Sequence, residues 1–337
     1  VDGDVTTLAY VGFASNGSPV ASDYLGSVSA DAHVRLQSDS ATCEGCSEDS
    51  VSVNSISTDA RARTLGSLAS DPAPTATADA GVTLFHADAL SVSVDGTTGS
   101  GLAIATRAEA SNGTANAEDF ANGDVSITSA NGAISLGEDD GEGNIFLSGI
   151  DAVGISNGLG RSSVNLNAGS SITAGRISLE GGALDVQSQQ GGILLDSFAG
   201  GIAGLDFLGL QAQNGEVAIN QLLTNPGAME WSAGAIVIRT GSGFDHAKLS
   251  LRATRGGIHL QSRGSLTLAD LGSSGSSSYP HLDGDLDVSG IFASSDGTMR
   301  LGTLTADGTV DLSVNGQIAT ANQPLLGTAA VATESGF

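Results

Sequence analysis

The run Gly137-Glu138-Asp139-Asp140-Gly141-Glu142-Gly143-Asn144 is the densest group of carboxylates in the chain, and Asp151 follows shortly after it. Two chemistries use such a group. Acid–base cleavage of a glycoside needs two carboxyls about 5 to 10 Å apart, one protonated and one ionised. Calcium takes roughly six to eight oxygen ligands from carboxylates and carbonyls on a pliable, Gly-containing loop. No Arg, Lys or His stands nearby in sequence to complete a glycosidase site. The group also falls between the apolar pairs ending at Leu136 and beginning at Ile145, in an expected turn whose side chains splay into water. No catalytic residue is therefore assigned. Glu138, Asp139, Asp140 and Glu142 remain a calcium candidate, with spacing unlike an EF-hand loop or a Gly-Gly-x-Gly-x-Asp calcium roll. A solvated acidic turn would explain the same residues. No other cofactor is expected.

The basic residues Arg239, Lys248, Arg252, Arg255 and Arg263 gather in one stretch, with His246 and His259 among them. If equivalent positions of successive coils stack, these could form one positive strip that meets a neighbouring copy or an acidic glycan; the alternative is a scattered, solvated face. His33, His86, His246, His259 and His281 show neither a His-x-His clamp nor a helical pair, so no histidine metal centre follows. Cys43 and Cys46 lie in Cys43-Glu44-Gly45-Cys46, and no second cysteine pair exists to complete a zinc site. A local disulfide pinning a surface loop is expected; so short a closed loop fixes shape and adds little chain-entropy stabilisation.

What must position these residues is a recurring apolar couplet, two aliphatic residues flanking one polar residue. It is read at Val125/Ile127, Ile134/Leu136, Ile145/Leu147, Val153/Ile155, Val164/Leu166, Ile177/Leu179, Leu184/Val186 and Ile193/Leu195. Each couplet is too short for a helix and alternates as a strand with one buried face does. Each couplet and the next but one lie about 20 residues apart, the size of one coil of a solenoid. Asn122-Gly123, Asn131-Gly132, Asn157-Gly158, Asn214-Gly215 and Asn315-Gly316 punctuate the couplets, and are expected to supply the positive φ of tight corners. Asn-Gly is also a hairpin signal, so an antiparallel sandwich competes. Couplets with room for about three ordered residues fit hairpin strands poorly.

The expected fold is therefore all-β, a right-handed parallel β-helix of about 20 residues per coil with loop insertions at corners. Residues 1–122 read as irregular N-terminal coils with loops and a capping strand near Val5 to Phe13, 123–318 as the regular β-helix, and 319–337 as a tail or linker. The stretches 37–50, 69–80, 106–122, 196–213, 222–232, 240–247 and 270–283 read as loops or breaks in the period. Composition agrees with a narrow aliphatic core: of 337 residues 48 are Gly, 40% are hydrophobic and only 4% aromatic.

Thirty-seven acidic against 12 basic residues leave a formal charge of -25, and Lys248 is the only lysine. Such a surface repels phosphate backbones, so nucleic acid is not expected as a partner. No apolar run is long enough to span a membrane as a helix.

The runs Gly123-Asp124-Val125-Ser126-Ile127, Asn131-Gly132-Ala133-Ile134-Ser135-Leu136, Gly191-Gly192-Ile193-Leu194-Leu195 and Gly264-Ser265-Leu266-Thr267-Leu268 resemble the repeats of filamentous haemagglutinin-like exoproteins, the β-helical adhesins exported by two-partner secretion. The resemblance covers roughly residues 120 to 318. It implies export to the bacterial surface and a role in adhesion, aggregation or biofilm matrix; the leading expectation is a secreted or cell-surface, extracellular, non-enzymatic adhesin or fibre segment whose partners are other copies of itself or surface and matrix glycans. A secreted β-helix polysaccharide lyase or hydrolase is the rival reading, and a phage tailspike-like host-binding rod a third.

Overall fold

The computed structural model describes residues 4–11, 27–38, 50–53, 55–64, 74–87, 89–92, 102–112, 119–139, 145–156, 158–179, 181–198, 205–224, 227–274, 290–315 and 318–320. They divide between two compact units, Val1–Asn167 with Thr173–Ala183, and Ala168–Ile172 with Leu184–Phe337. Both are built of parallel strands in stacked sheets.

The first unit carries β1 Asp4–Val11, β2 Val28–Ser38, β3 Ser50–Val53, β4 Ser55–Thr64, β5 Ala76–His86, β6 Ala89–Val92, β7 Leu102–Asn112, β8 Phe120–Ser129, β9 Ile134–Asp139, β10 Ile145–Leu147, β11 Gly149–Ser156, β12 Leu159–Ala168 and β13 Ile172–Leu179. One sheet runs β1-β4-β7-β11-β13, a second β2-β5-β8-β12, and β3-β6-β9 form a further parallel row. The strands are long because alternation continues past each couplet. In β4, Ile56, Thr58, Ala60, Ala62 and Thr64 are buried while Ser57, Asp59, Arg61 and Arg63 lie on the other face. Ala and Thr extend the inward row, which a search for branched aliphatics misses.

Those alanines set how closely the sheets approach. Ala9, Ala60 and Ala108 pair in one row of the first sheet, and Ala30, Ala78 and Ala121 in one row of the second, and all join a common core. Where the first row reaches β11 the residue is Gly154, and a Cβ there would collide with the carbonyl oxygens of Arg161 and Ala121. Gly123, expected at a corner, instead lies inside β8 with its Cα facing the Val153 carbonyl, leaving no space for a side chain. Among the described residues no Asn or other non-glycine residue has positive φ. Asn131-Gly132 and Asn214-Gly215 do lie in bends between strands, but without the positive φ expected of them, and Asn157 and Gly316 lie outside the described residues.

The second unit carries β14 Ala183–Ser188, β15 Ile193–Phe198, β16 Leu205–Ala212, β17 Val217–Ile219, the short helix α1 Asn220–Thr224, β18 Met229–Thr240, β19 Phe244–His246, β20 Leu249–Ala253, β21 Ile258–Ser262, β22 Leu266–Leu268, β23 Leu271–Ser273, β24 Gly290–Ser295, β25 Met299–Leu301, β26 Leu304–Ala306, β27 Thr309–Val314 and β28 Ile318–Thr320. The long strand β18 branches the sheet: its first half pairs with β20, followed by β23 and β26, and its second half with β21, followed by β24 and β27. β19, β22, β25 and β28 make a third sheet. Inward rows are now larger, for example Leu208, Ile236, Ile258, Ile291 and Val310. Trp231 is buried and meets Phe198 edge to face at 5.6 Å. Strand ends are fastened by buried hydroxyls: Ser262 donates to the Ser242 and Ser265 carbonyls at 2.7 and 3.0 Å, and Ser295 to the Gly264 carbonyl at 2.7 Å.

The 20-residue step holds where Leu251 pairs with Leu271, and nearly holds where Ile236 pairs with Ile258. It fails in the first unit, where Val28 pairs with Ala76 and Ile56 with Ile104. Successive couplets there lie on different sheets, so one circuit consumes about twice the expected length. The couplet Ile145/Leu147 leaves the parallel pattern altogether, because β10 pairs antiparallel with β9. Several expected loops are also strands: 106–112 ends β7, 76–80 opens β5, 205–212 is β16, 229–232 opens β18 and 244–246 is β19.

Candidate functional site

Glu138 and Asp139 belong to the β9–β10 ladder, opposite Phe146 and Ile145, and so lie in a strand where a turn was expected. Asp140 and Glu142 lie outside the described residues, as do Cys43 and Cys46. Among the described residues no group of three His, Cys, Asp or Glu side chains is arranged to hold a metal ion.

The five basic residues fall at four kinds of position in the second unit. Arg239, near the end of β18, stands between Gln211 and Gln261 in the pairing register and donates to Gln211 Oε1 at 3.2 Å. Arg252, in the middle of β20, stands between Ser232 and Gly272. Arg255 and Arg263 occupy the bends after β20 and β21; Arg255 pairs with Asp206, and Arg263 donates to Asn214 Oδ1 at 3.0 Å. Lys248 precedes β20 and is exposed. No two of the five share a register row, and three of them line three separate recesses.

The first recess is lined by Lys248, Asp245, His246, Leu222 and Met229. Burial lowers the His246 imidazole from its ordinary value, against the carboxylates of Asp245 and Glu216, which raise it. Asp245 is itself held by the Thr267 hydroxyl at 2.6 Å. In the second recess, Arg239 and Gln261 flank His259 and Phe292, whose rings stack at 4.6 Å and 13°, with Asp311 beyond them. His259 alternates with buried Ile258 and Leu260, and so takes the outward face expected of it.

The third recess is a groove of about 420 Å³ over β18, β20, β23 and β26. Glu230 in β18 and Ser250 in β20, and Asp270 and Thr303 immediately before β23 and β26, each precede a Trp or Leu of the inward row and line the groove. The next outward row is Ser232, Arg252, Gly272 and Thr305. Asp270 Oδ1 accepts the Thr303 amide at 2.8 Å, which fixes its carboxylate at the groove wall. Sequence reading singled out Arg252 and missed Glu230, Asp270 and Gly272. The usable signal was their fixed place beside an inward apolar residue, one strand after another.

The first unit has its own charged face, closed upon itself. The Arg61 guanidinium grips both oxygens of Asp59 at 2.8 and 2.7 Å, the Tyr10 hydroxyl donates to Asp59 at 2.7 Å, and Arg107 donates to Glu109 at 3.0 Å. Burial, followed by the Asp59 hydrogen bond and charge, raises the Tyr10 hydroxyl above its usual value. These groups satisfy one another, and the network reads as a structural tie between β1, β4 and β7.

Comparison with protein-family models, with curated proteins and with solved structures gives no match.

Proposed function

We propose that the chain is an extracellular, non-enzymatic adhesive or structural protein, each unit a stretch of right-handed parallel β-helix that presents rows of outward side chains to glycans or to further copies. The observation that carries this reading is the stacking of outward residues in register over parallel strands, as in the row Ser232, Arg252, Gly272 and Thr305. A scaffold that repeats a side-chain row at the strand spacing of about 4.8 Å can meet a polymer at several points at once. The resemblance of its repeats to haemagglutinin-like exoproteins supports the same reading, and the acidic balance of -25 opposes nucleic acid as the ligand. Among the described residues no helix is long and apolar enough to cross a membrane.

Carboxylates of Glu230, Asp270 and Asp307 around one groove favour a second reading, a polysaccharide lyase or hydrolase. One pair of measurements separates the two. The protein is incubated with a panel of neutral, amino and acidic polysaccharides; retention on immobilised glycan and release of reducing ends or unsaturated products are followed together. Retention without product is expected. Sustained product formation that scales with protein concentration would overturn the adhesive reading.

A further inference from the structure

We propose that the groove over β18, β20, β23 and β26 is a saccharide-binding site selective for chains without anionic substituents. This rests on the glycan-binding reading above and names the ligand class of that surface.

Gly272 supplies the reason to regard the groove as a site. The fold explains many glycines of this unit: at Gly215 a Cβ would run into the backbone of Gly191, and at Gly264 into that of Gly243. At Gly272 an added Cβ meets nothing nearer than the Arg252 Cγ at 3.9 Å, and the residue lacks a positive φ. Neither backbone conformation nor packing requires glycine there. Its effect is to leave the floor of the groove open between Arg252 on one neighbouring strand and Thr305 on the other. The neighbouring strand β20 fills the same row with a long side chain, so the gap is local.

The lining fits a polyhydroxylated ligand. Sugar hydroxyls both donate and accept, and the groove offers carboxylate acceptors, Ser and Thr hydroxyls, and the Arg252 guanidinium as a donor. Three carboxylates, Glu230, Asp270 and Asp307, line the groove with that one guanidinium. The local potential is therefore negative, which disfavours uronate or sulfate groups and favours neutral or amine-bearing sugars. A strip of five basic residues would suit a neighbouring copy or an acidic glycan, whereas three carboxylates against one guanidinium in the groove lining point the other way.

The test uses the full chain and three oligosaccharides of equal length: an N-acetylglucosamine hexamer, a glucosamine hexamer and a galacturonate hexamer, with affinities measured by calorimetry at low and moderate salt. The N-acetylglucosamine and glucosamine hexamers are expected to bind, the glucosamine hexamer tighter by about tenfold at low salt and losing that margin as salt rises. The galacturonate hexamer is expected not to bind. Gly272→Phe fills the open floor on an outward strand position that suits an aromatic residue. It should weaken both binding oligosaccharides by about tenfold or more with an unchanged circular dichroism spectrum and melting temperature. Arg252→Gln gives a second variant in which no new bulk enters the fold. Equal or tighter binding of the galacturonate hexamer overturns the proposal. So does undiminished binding by both variants; in that case retention of the intact protein on immobilised glycan would leave the adhesive reading standing and move its site elsewhere.

Discussion

Gly154 shows how a single missing methyl can set the geometry of an interior. Its position in the row Ala60, Ala108, Gly154 puts it where the backbones of two sheets meet, with the Arg161 and Ala121 carbonyl oxygens in the place a Cβ would take. Gly154→Ala must separate backbone from backbone, since no flexible side chain is there to yield, and we expect a loss of about 3 kcal/mol, the upper end for overpacking. Urea unfolding of the variant beside Gly272→Ala measures it; the latter, with open space above it, should stay within about 0.5 kcal/mol of the parent. Asp119 makes a second residue-scale case. Its carboxyl is buried, one oxygen accepting the Ala76 amide at 2.9 Å and the other with no hydrogen-bond partner. Burial raises its affinity for a proton, partly offset by the Ala76 hydrogen bond. Because the folded form then binds the proton more tightly than the unfolded one, this group adds stability as pH falls through its raised folded value and costs stability above it. Asp119→Asn should thus melt higher than the parent at neutral pH and show a smaller gain on mild acidification. Asp79, also raised chiefly by burial, leaves part of that gain in place. A variant with the parent's pH profile would remove Asp119 from this role.

The ladder is the unit at the next scale, and here the sequence was legible only in part. Couplets such as Val164/Leu166 and Leu184/Val186 are buried strand rows, whereas Val153/Ile155 lies on the outer face of β11, where Ala152 and Gly154 take the inward positions and Ile155 is exposed. The long strands of the first unit escaped that reading. In Ala76-Thr-Ala-Asp-Ala80 the inward positions are alanines, whose alternation with Thr and Asp carries too little hydrophobic contrast to announce a strand. Which couplet pairs with which was also hidden, since register is decided between strands more than 40 residues apart, as for Ala78 and Ala121. The candidate groove stayed illegible for the same reason: Glu230, Asp270 and Gly272 become neighbours only once β18, β20 and β23 are stacked. One inward ladder makes a prediction of its own. Thr7, Thr58 and Thr106 pair in one row of β1, β4 and β7, and their hydroxyls are buried without hydrogen-bond partners. A buried hydroxyl left unpaired costs free energy that a methyl in the same place does not. Thr58→Val should therefore stabilise the protein by about 1 kcal/mol, and Thr58→Val with Thr106→Val by more than either alone. Denaturant midpoints decide it; a loss of stability in both single variants would mean that the hydroxyls are paired in solution.

At the scale of the whole molecule, the charge of -25 governs how copies meet. Parallel stacked strands invite association, because a terminal strand presents a row of unpaired backbone groups to any partner that can supply another strand. Inward residues of β27 such as Val310, Leu312 and Val314 are only partly covered, while their neighbours in β24, Ile291 and Ala293, are buried. Net negative charge opposes the approach of a second copy at low ionic strength, where repulsion reaches roughly 30 Å at 0.01 M salt, and fades when that range shrinks to about 3 Å at 1 M. If copies assemble through strand ends, sedimentation velocity should show slowly sedimenting single chains at low salt and a growing series of larger species as salt rises. Electron micrographs should show lengthening at constant width. The charge makes a second demand on the same experiment: assembly driven by backbone pairing should be insensitive to whether sodium or calcium chloride supplies a given ionic strength, whereas bridging of carboxylates should depend strongly on calcium. Single chains at every salt concentration and at high protein concentration would rule out strand-end assembly and leave glycan capture as the route by which this surface acts.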